Sequence, residues 1–272
     1  MATTGKRDGA AKPGAAVSSA LSRGLSLLAT FAGAPVWLSN SDIVQRTGLP
    51  APTVARLTRS LTGMGLLHYS AHRRRFRLAA GVVRLGYGAR CEAHLAERAR
   101  PHMQRFADRH GVHVSLAVLD RTDALHLEVC HSASTLVTLR LEAGSRVPLA
   151  TTAAGHGILA CLSEGERETV MKALQVRDEE DWPQAAEAIT KGLDAIAVLG
   201  FSRSVGGWQT DVNSVATPFR SPFHDGAMSI ACSAPAGHLP EERLDEIGDE
   251  LLVLAGLLPG QDTEDLDAFE MA

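Results

Sequence analysis

The chain has 272 residues, of which 45% are hydrophobic and 4% aromatic, and a formal net charge of −4 at pH 7. This length suits one large domain or two ordinary ones, and no apolar run approaches the ~18–20 residues that a membrane span requires. The first 17 residues are rich in Ala, Gly and Ser without an apolar signal core, which predicts a disordered tail. The four cysteines contain no CxxC pair. They argue against a disulfide framework or a structural metal and suit a reducing cytoplasm.

The charge is distributed unevenly along the chain. Residues 1–90 contain thirteen Lys and Arg but only two acids, Asp8 and Asp42, a net charge of +11. The remaining residues contain fourteen basic and 29 acidic side chains, a net charge of −15. Such asymmetry indicates that the first third binds a polyanion. The alternative is that the two parts of the chain simply have solvated surfaces of opposite charge, which would give the same net charges.

Two short helices are predicted at the start of the basic third. The stretch SSALSRGLSLLATFAG has apolar residues at helical spacing, which predicts an amphipathic helix. In LSNSDIVQRTG, Ser39 or Asn40 is expected to cap a second helix that ends at Gly48. The apolar positions expected to face the core are Leu21, Leu25, Leu28 and Phe31 in the first helix and Ile43 and Val44 in the second.

A third helix is predicted within TGLPAPTVARLTRSLTGMGLL, residues 47–67, where Pro50 or Pro52 suits the first turn. Its spacing predicts a buried face and an outer face without a carboxylate. Two short helices joined through a glycine turn form a helix-turn-helix. A recognition helix over 51–63, about 18 Å long, can lie in a major groove and read base edges. The buried positions are Val54, Leu57, Leu61 and Met64; the outer ones are Thr53, Ala55, Arg56, Arg59 and Ser60.

The stretch LLHYSAHRRRFRLAAG follows the third helix directly and predicts a β-hairpin. Residues 66–69 form its first strand, and Phe76 and Leu78 anchor the second. A basic hairpin in this place indicates a wing over 68–78 that contacts backbone phosphate or the minor groove of double-stranded DNA. The wing carries Arg73, Arg74, Arg75 and Arg77.

These segments, together with GSRVPLATTAAGHGILA and WQTDVNSVATPFR further along, resemble the isocitrate lyase regulator (IclR) family of bacterial transcription regulators over residues 18–255. The resemblance implies a winged helix-turn-helix domain followed by a GAF-like or profilin-like effector-binding domain. It also implies a homodimer or homotetramer. Whether the protein represses or activates stays open.

The acidic two-thirds predicts an α+β domain on a largely antiparallel sheet. Residues 83–110 predict a linker helix and a second helix with a break at Pro101. Short strands are expected in VHVSLAVLD, ALHLEVC, LVTLRLE, VATPF and MSIACSA. The period-two pattern of the first of these predicts one buried face. The predicted domains are 18–82 for DNA binding, 83–98 for the linker, 99–258 for effector binding and oligomerisation, and 259–272 as a flexible tail.

Residues 144–162 contain the most site-like stretch of this half. Thr151 and Thr152 offer hydroxyls, and Ala153, Ala154 and Gly155 allow a ligand close to the backbone. A helix then begins, and its free N–H groups favour an anion. This predicts a cradle for a carboxylate, although a loop that is small only for packing would look the same.

The resemblance extends the effector site. It implies that Thr152, Ala153 and Ala154 contact a small acid, with Val212, Ser214, Ala231 and Ser233 on the opposite wall. The chain departs from the family at Trp208, in a loop where acidic residues are usual. That change predicts a larger cavity that favours aromatic acids.

No cofactor is expected, because the GxGxxA-like segment at Gly155 follows no buried strand and opens no βαβ unit. The sequence therefore predicts a ligand-responsive DNA-binding transcription regulator that is not an enzyme. The alternative is a small-molecule hydrolase or transferase with a DNA-binding appendage, but no nucleophile–base set is recognisable.

Overall fold

The computed structural model describes residues 19–32, 36–91, 94–132, 141–221 and 224–258. The predicted tails over 1–17 and 259–272 lie outside these residues. The chain divides into two compact units, Met1–Tyr87 and Gly88–Ala272. Each unit has its own hydrophobic core.

The first unit contains three helices and a two-stranded antiparallel hairpin. A capping box joins Ser39 and Asp42 at the start of the second helix, which ends at Gly48 in the left-handed conformation (φ 65°). Leu38 forms an isolated bridge with Phe76 and so ties the segment before this helix to the hairpin. The elements are α1 Ser19–Ala29, α2 Asn40–Thr47, α3 Ala51–Gly63, β1 Leu67–Ser70 and β2 Arg75–Leu78.

Two predictions about buried faces in this unit are wrong. Leu21 and Leu25 are 59% and 57% exposed, because α1 instead turns Leu27 into the core. Met64 is 70% exposed, whereas Thr58 of α3 is buried and donates a hydrogen bond to the Val54 carbonyl. Since its hydroxyl is satisfied within the helix, threonine can occupy a core position that an apolar pattern does not reveal.

The next two helices are α4 Ala80–Cys91 and α5 His94–His110. The predicted break at Pro101 is wrong, since this residue lies exposed inside α5. The opposite face of α5 buries Leu95, Ala99, Met103 and Phe106 in the core of the second unit. That burial offsets the backbone hydrogen bond that a proline removes.

The second unit is built on a six-stranded antiparallel sheet in the order β5-β4-β3-β8-β7-β6. The predicted strand LVTLRLE falls mostly on residues 133–140, outside the described part of the chain. The remaining elements, in chain order, are β3 His113–Asp120, β4 Asp123–Cys130, β5 Arg146–Pro148, α6 Ala153–Cys161, α7 Glu164–Arg177, α8 Trp182–Leu199, β6 Ser202–Val205, β7 Val212–Ser221, β8 His224–Pro235 and α9 Leu244–Leu257.

Helices cover both faces of this sheet. The helices α5 and α9 pack on one face, and α6, supported by α8, packs on the other. The expectation that only one face of the first strand is buried is therefore wrong, because every residue from His113 to Val118 in β3 is buried. Alternation in the sequence reflects which cluster each side chain joins: Val114 and Leu116 join the α5 side, and Ala117 joins the α6 side. None of the described helices is long and apolar enough to cross a membrane.

Candidate nucleic-acid interface and ligand cavity

The outer face of α3 presents polar and basic side chains to solvent. Arg56, Arg59 and Ser60 are exposed, and Thr53 is half-buried near the start of the helix. Pro50 directly precedes α3, and Pro52 occupies its second position, so the first turn loses no hydrogen bond to these prolines. All four residues predicted for α3 therefore lie where a bound polyanion could reach them.

The predicted wing is the β1–β2 hairpin. Phe76 of β2 turns into the core, so its neighbours Arg75 and Arg77 point outward, as the strand period requires. Arg73 and Arg74 lie in the connecting turn, where Arg74 adopts a left-handed conformation (φ 52°). The four arginines are exposed and lie within five consecutive residues.

Trp37 organises the wing, although nothing in the sequence singles it out. The guanidinium carbons of Arg73 and Arg77 lie 5.3 and 5.5 Å from the centre of its ring, a cation–π arrangement. Arg75 donates a hydrogen bond of 3.3 Å to the Trp37 carbonyl. Trp37 therefore holds arginines that would otherwise sample many rotamers, and the bridge between the neighbouring Leu38 and Phe76 brings it beside the hairpin.

Asp42 is the one carboxylate in the sequence between residues 19 and 87, and it is committed to the start of α2. Its side chain accepts a hydrogen bond of 2.8 Å from the Ser39 backbone N–H. This bond, with the Ser39 hydroxyl and the charges of Arg75 and Arg46, lowers the pKa of the Asp42 carboxyl. The α3 face and the wing therefore form a basic surface that carries no acid of its own, which suits a phosphate backbone.

A cavity lies between the N-terminal end of α6 and the sheet. Seven of the ten residues predicted for the effector site line it, together with four that sequence reasoning missed. The seven are Thr152, Ala154, Trp208, Val212, Ser214, Ala231 and Ser233, and the four are Ser115, His126, Leu141 and Val147. The register explains part of this grouping, because Ser115 pairs with Ala231 and Ser214 pairs with Ser233 across neighbouring strands.

The cavity is narrow in this structure. The space beside its lining atoms is about 380 Å³ when the part open to solvent is included, but the centre of a water molecule can occupy only about 30 Å³. Leu141 belongs to the cluster that forms the walls, and the Trp208 ring packs against that cluster. Among the residues that the structure describes, the cavity is therefore narrower than expected, and an aromatic ring requires movement of these side chains.

The start of α6 is fixed by Thr152. Its hydroxyl donates to the Pro148 carbonyl at 2.6 Å and accepts from the Gly155 N–H at 3.2 Å. The threonine hydroxyl therefore caps the helix, and its only proton is already used. The helix N–H groups of Ala153 and Ala154 come before the first intrahelical donor, His156, and have no acceptor within the helix.

The other three predicted residues do not line this cavity. A Cβ on Gly155 would lie 2.0 Å from the Leu149 carbonyl oxygen, so this glycine allows α6 to pack against the preceding loop. The carbonyl of Ala153 accepts a hydrogen bond from the Ser202 hydroxyl. Thr151 lines a second cavity with Arg203 and residues of α8 that include Lys191, and the centre of a water molecule can occupy about 440 Å³ of it.

Two buried histidines flank α6 and the sheet. The Nε2 atom of His156 lies 2.8 Å from the Ala150 carbonyl, and its ring packs against Gly192 of α8, away from the first cavity. His126 of β4 lines the cavity and is 3% exposed. Burial lowers the pKa of both imidazoles, that of His126 to about 4. Both rings are therefore neutral at pH 7.

The described part of the chain contains no cluster of three or more side chains suited to a metal ion. Cys161 and Cys232 are buried and do not line the cavity, and burial raises the pKa of both thiols. Cys232 packs on the opposite face of the sheet with α5 and α9.

A basic helix-turn-helix unit with a wing, followed by an α+β unit with an internal cavity, defines a DNA-binding regulator with an effector domain. Residues 20–71 match the model of the IclR helix-turn-helix domain, and residues 89–256 match that of the C-terminal domain of IclR bacterial transcriptional regulators. The chain belongs to the IclR family, as the resemblance in its sequence predicts.

Similar proteins and solved structures support this assignment. The chain is 32% identical over 197 residues to the HTH-type transcriptional regulator TsaQ1/TsaQ2 of Comamonas testosteroni. The matched stretch covers 72% of this chain and 70% of that protein. An IclR family regulator from Brucella abortus superposes with a TM-score of 0.78 at 33% identity, covering 92% and 94% of the two chains. An IclR homologue from Microbacterium hydrocarbonoxydans, solved with 4-hydroxybenzoate, shares the fold at 24% identity (TM-score 0.68; 87% and 97% covered).

Proposed function

We propose that this regulator binds an operator through α3 and the wing and that a small organic or aromatic acid in the cavity changes its affinity for DNA. The observation that carries the proposal is the acid-free outer face of α3, followed directly by a hairpin with four exposed arginines. An ordinary surface helix would mix carboxylates with its arginines, whereas a carboxylate on this face would repel phosphate.

Within the operator complex we assign different tasks to the basic residues. Arg56 and Thr53 contact base edges in the major groove, where arginine pairs with guanine and a threonine methyl meets thymine. Arg59 and Ser60 extend the same face and contact base or backbone. Arg73, Arg74, Arg75 and Arg77 contact backbone phosphate or the minor groove, which positions the protein without selecting sequence.

For the effector we assign the cavity beside α6. The N–H groups of Ala153 and Ala154, at the positive end of the helix, suit a carboxylate. The oxygens of Ser214 and Ser233 offer polar contacts on the sheet. The Trp208 ring suits an aromatic or apolar body, provided that the ring moves to widen the cavity.

The two activities are coupled by linkage, because an effector that binds two arrangements with different affinity shifts the balance between them. One recognition helix gives weak specificity, so we assign a homodimer or homotetramer that places paired helices on half-sites one or more helical turns apart. Residues 83–98 are proposed to transmit the change. Such a regulator acts in the cytoplasm, where bacterial DNA lies.

The test is fluorescence anisotropy of the purified protein on DNA from upstream of its own gene and on scrambled DNA, at ~0.15 M salt, with a panel of small and aromatic acids. The panel includes 4-hydroxybenzoate as one probe. We expect tighter binding to the upstream DNA and a change in that affinity with at least one acid. Equal, strongly salt-dependent binding to both DNAs, unaffected by any acid, contradicts the proposal. Chemical conversion of a bound acid would favour the enzyme alternative.

A further inference from the structure

His126 lies deep in the wall of the cavity beside α6. It is 3% exposed and projects from β4 on the face of the sheet that carries α6, as does its cross-strand neighbour Ala117. Neither Nδ1 nor Nε2 has a hydrogen-bond partner among the residues that the structure describes. Its backbone is fully used, since the N–H donates to Ser145 and the carbonyl accepts from Gly144.

Such an arrangement calls for an explanation, because buried polar groups in proteins are normally paired. The other polar side chains of the cavity wall do not supply a partner. The Thr152 hydroxyl is occupied by Pro148 and Gly155, and the Ser115 hydroxyl contacts the Ala231 carbonyl at 3.5 Å. An apolar residue of similar size would fill the same space without leaving two nitrogens unpaired.

The chemical state of the ring restricts what it can receive. Burial lowers the pKa of His126 to about 4, so at neutral pH the imidazole is uncharged and carries one N–H donor and one acceptor nitrogen. Because the His126 imidazole is uncharged, it cannot form an ion pair with a carboxylate. The N-terminal end of α6, which also reaches the cavity through Thr152 and Ala154, is the better place for that anion. A hydroxyl group, which can donate to one imidazole nitrogen or accept from the other, suits His126.

We infer that His126 selects an effector acid that carries a hydroxyl group remote from its carboxylate: the carboxylate occupies the N-terminal end of α6, and the hydroxyl pairs with the His126 ring. His126 is then a specificity-determining residue of the effector site. This inference rests on the proposed function and adds the class of ligand, a hydroxy acid as opposed to an unsubstituted one. A hydroxyl that pairs with the ring satisfies a buried polar group that the unsubstituted analogue leaves unpaired, so the hydroxy acid should bind more tightly.

The experiment compares matched pairs of acids by titration calorimetry on the full-length protein. The pairs are 4-hydroxybenzoate with benzoate and 3-hydroxybenzoate with benzoate. For the native protein we expect at least one hydroxylated member to bind about tenfold or more tightly than its partner. For His126→Phe we expect the two members of that pair to bind within about twofold of each other, with affinity for the unsubstituted acid nearly unchanged.

Three further variants and measurements make the result specific to the imidazole. His126→Asn keeps a donor and an acceptor and should retain part of the preference. His238→Phe removes an exposed histidine outside the cavity and should leave the preference intact. Thermal unfolding of each variant verifies that it is folded, and His126→Asn carries the test if His126→Phe does not fold.

The outcomes separate the inference from the function on which it rests. Acids that bind and change operator affinity without any preference for the hydroxylated member overturn the inference alone. A preference that His126→Phe leaves unchanged also overturns it alone. If no acid of the panel binds and none alters operator affinity, the proposed effector site fails, and the inference fails with it.

Discussion

At the scale of single residues, Arg56 and Arg77 are both exposed but belong to different elements, the outer face of α3 and the wing. We expect Arg56→Ala to weaken operator binding by about 1–3 kcal/mol and to relax sequence preference, because a base contact is lost. Anisotropy titrations on operator and scrambled DNA measure both effects.

Arg77→Ala is the matched control, since it also removes one exposed guanidinium. It should weaken binding to both DNAs alike and reduce the slope of log affinity against log salt by about one. If Arg56→Ala weakens both DNAs equally, Arg56 contacts phosphate and its assignment to base edges is wrong.

The pKa of His126 predicts how stability depends on pH. The folded protein holds this group at about 4, below the ordinary value of 6.5, so between these values the unfolded chain binds more protons. The contribution of His126 to the free energy of unfolding is therefore fully present above about pH 6.5 and falls by up to roughly 1.4 kcal/mol per pH unit as pH drops toward 4. His113, also lowered to about 4 by burial and by His131, adds a loss in the same direction.

Urea unfolding of the ligand-free protein at pH 7 and at pH 5 measures this loss, and His126→Phe is the comparison. The variant should lose less stability over this interval than the native protein. An identical loss in both proteins would show that His126 is not held neutral in the folded state.

Residue types and spacing were sufficient to predict the arginines of α3 and of the wing, because these follow from local pattern and charge. Trp37 and His126 were missed for a shared reason. Each acquires its environment from a distant partner: the bridge between Leu38 and Phe76 brings Trp37 to the wing, and the pairing of β3 with β4 turns His126 into the cavity. A single tryptophan or histidine in a sequence carries no such information.

At the scale of elements, the packing of α6 yields a contrast between two glycines. Gly155→Ala places a Cβ 2.0 Å from the Leu149 carbonyl oxygen, so the helix must shift. We expect the free energy of unfolding to fall by ~1–3 kcal/mol or more, as in other overpacked cores. Gly165→Ala, in the first turn of α7, meets nothing within 4 Å and should be neutral or stabilising by up to about 1 kcal/mol.

Denaturant unfolding of the two alanine variants and the native protein measures this difference. Equal stabilities for the two variants would contradict the assignment of Gly155 to packing. In that case the other interpretation of residues 151–155, that they are small so that a ligand can approach the backbone, would be favoured.

Element types were largely predictable, whereas their ends and faces were less so. A capping residue and a left-handed glycine marked α2 correctly, since these signals act locally. The break predicted at Pro101 was wrong because the free-energy cost of a proline inside α5 is offset by burial of the helix against the sheet. The local sequence does not reveal that burial. Met64 misled because it lies just after the last residue of α3, so the helical spacing that buries Val54 and Leu61 does not extend to it.

At the scale of the whole molecule, the proposal requires two recognition helices per operator. We therefore expect residues 1–90 alone, a fragment that contains the first hydrophobic core, to bind operator at least tenfold more weakly than the full chain at the same salt. Anisotropy measures the affinities, and analytical ultracentrifugation gives the number of chains in each species.

Circular dichroism of the fragment must first show helical structure, so that weak binding is not a result of unfolding. A folded fragment that binds as tightly as the full chain would show that recognition does not depend on assembly through the second unit. The helix-turn-helix would then act as an independent DNA-binding module.

The tight seating of α6 limits how relatives of this protein could evolve new ligand preferences. Gly155 and Gly157 have no room for a side chain, and Ala153 is fully buried, so inheritable change on the helix side of the cavity is costly. The opposite wall consists of side chains on β3, β4, β7 and β8 whose backbone bonds survive substitution. New preferences should therefore arise by substitution at sheet positions such as Ser115, His126, Ser214 and Ser233, while the segment proposed to receive the carboxylate stays fixed.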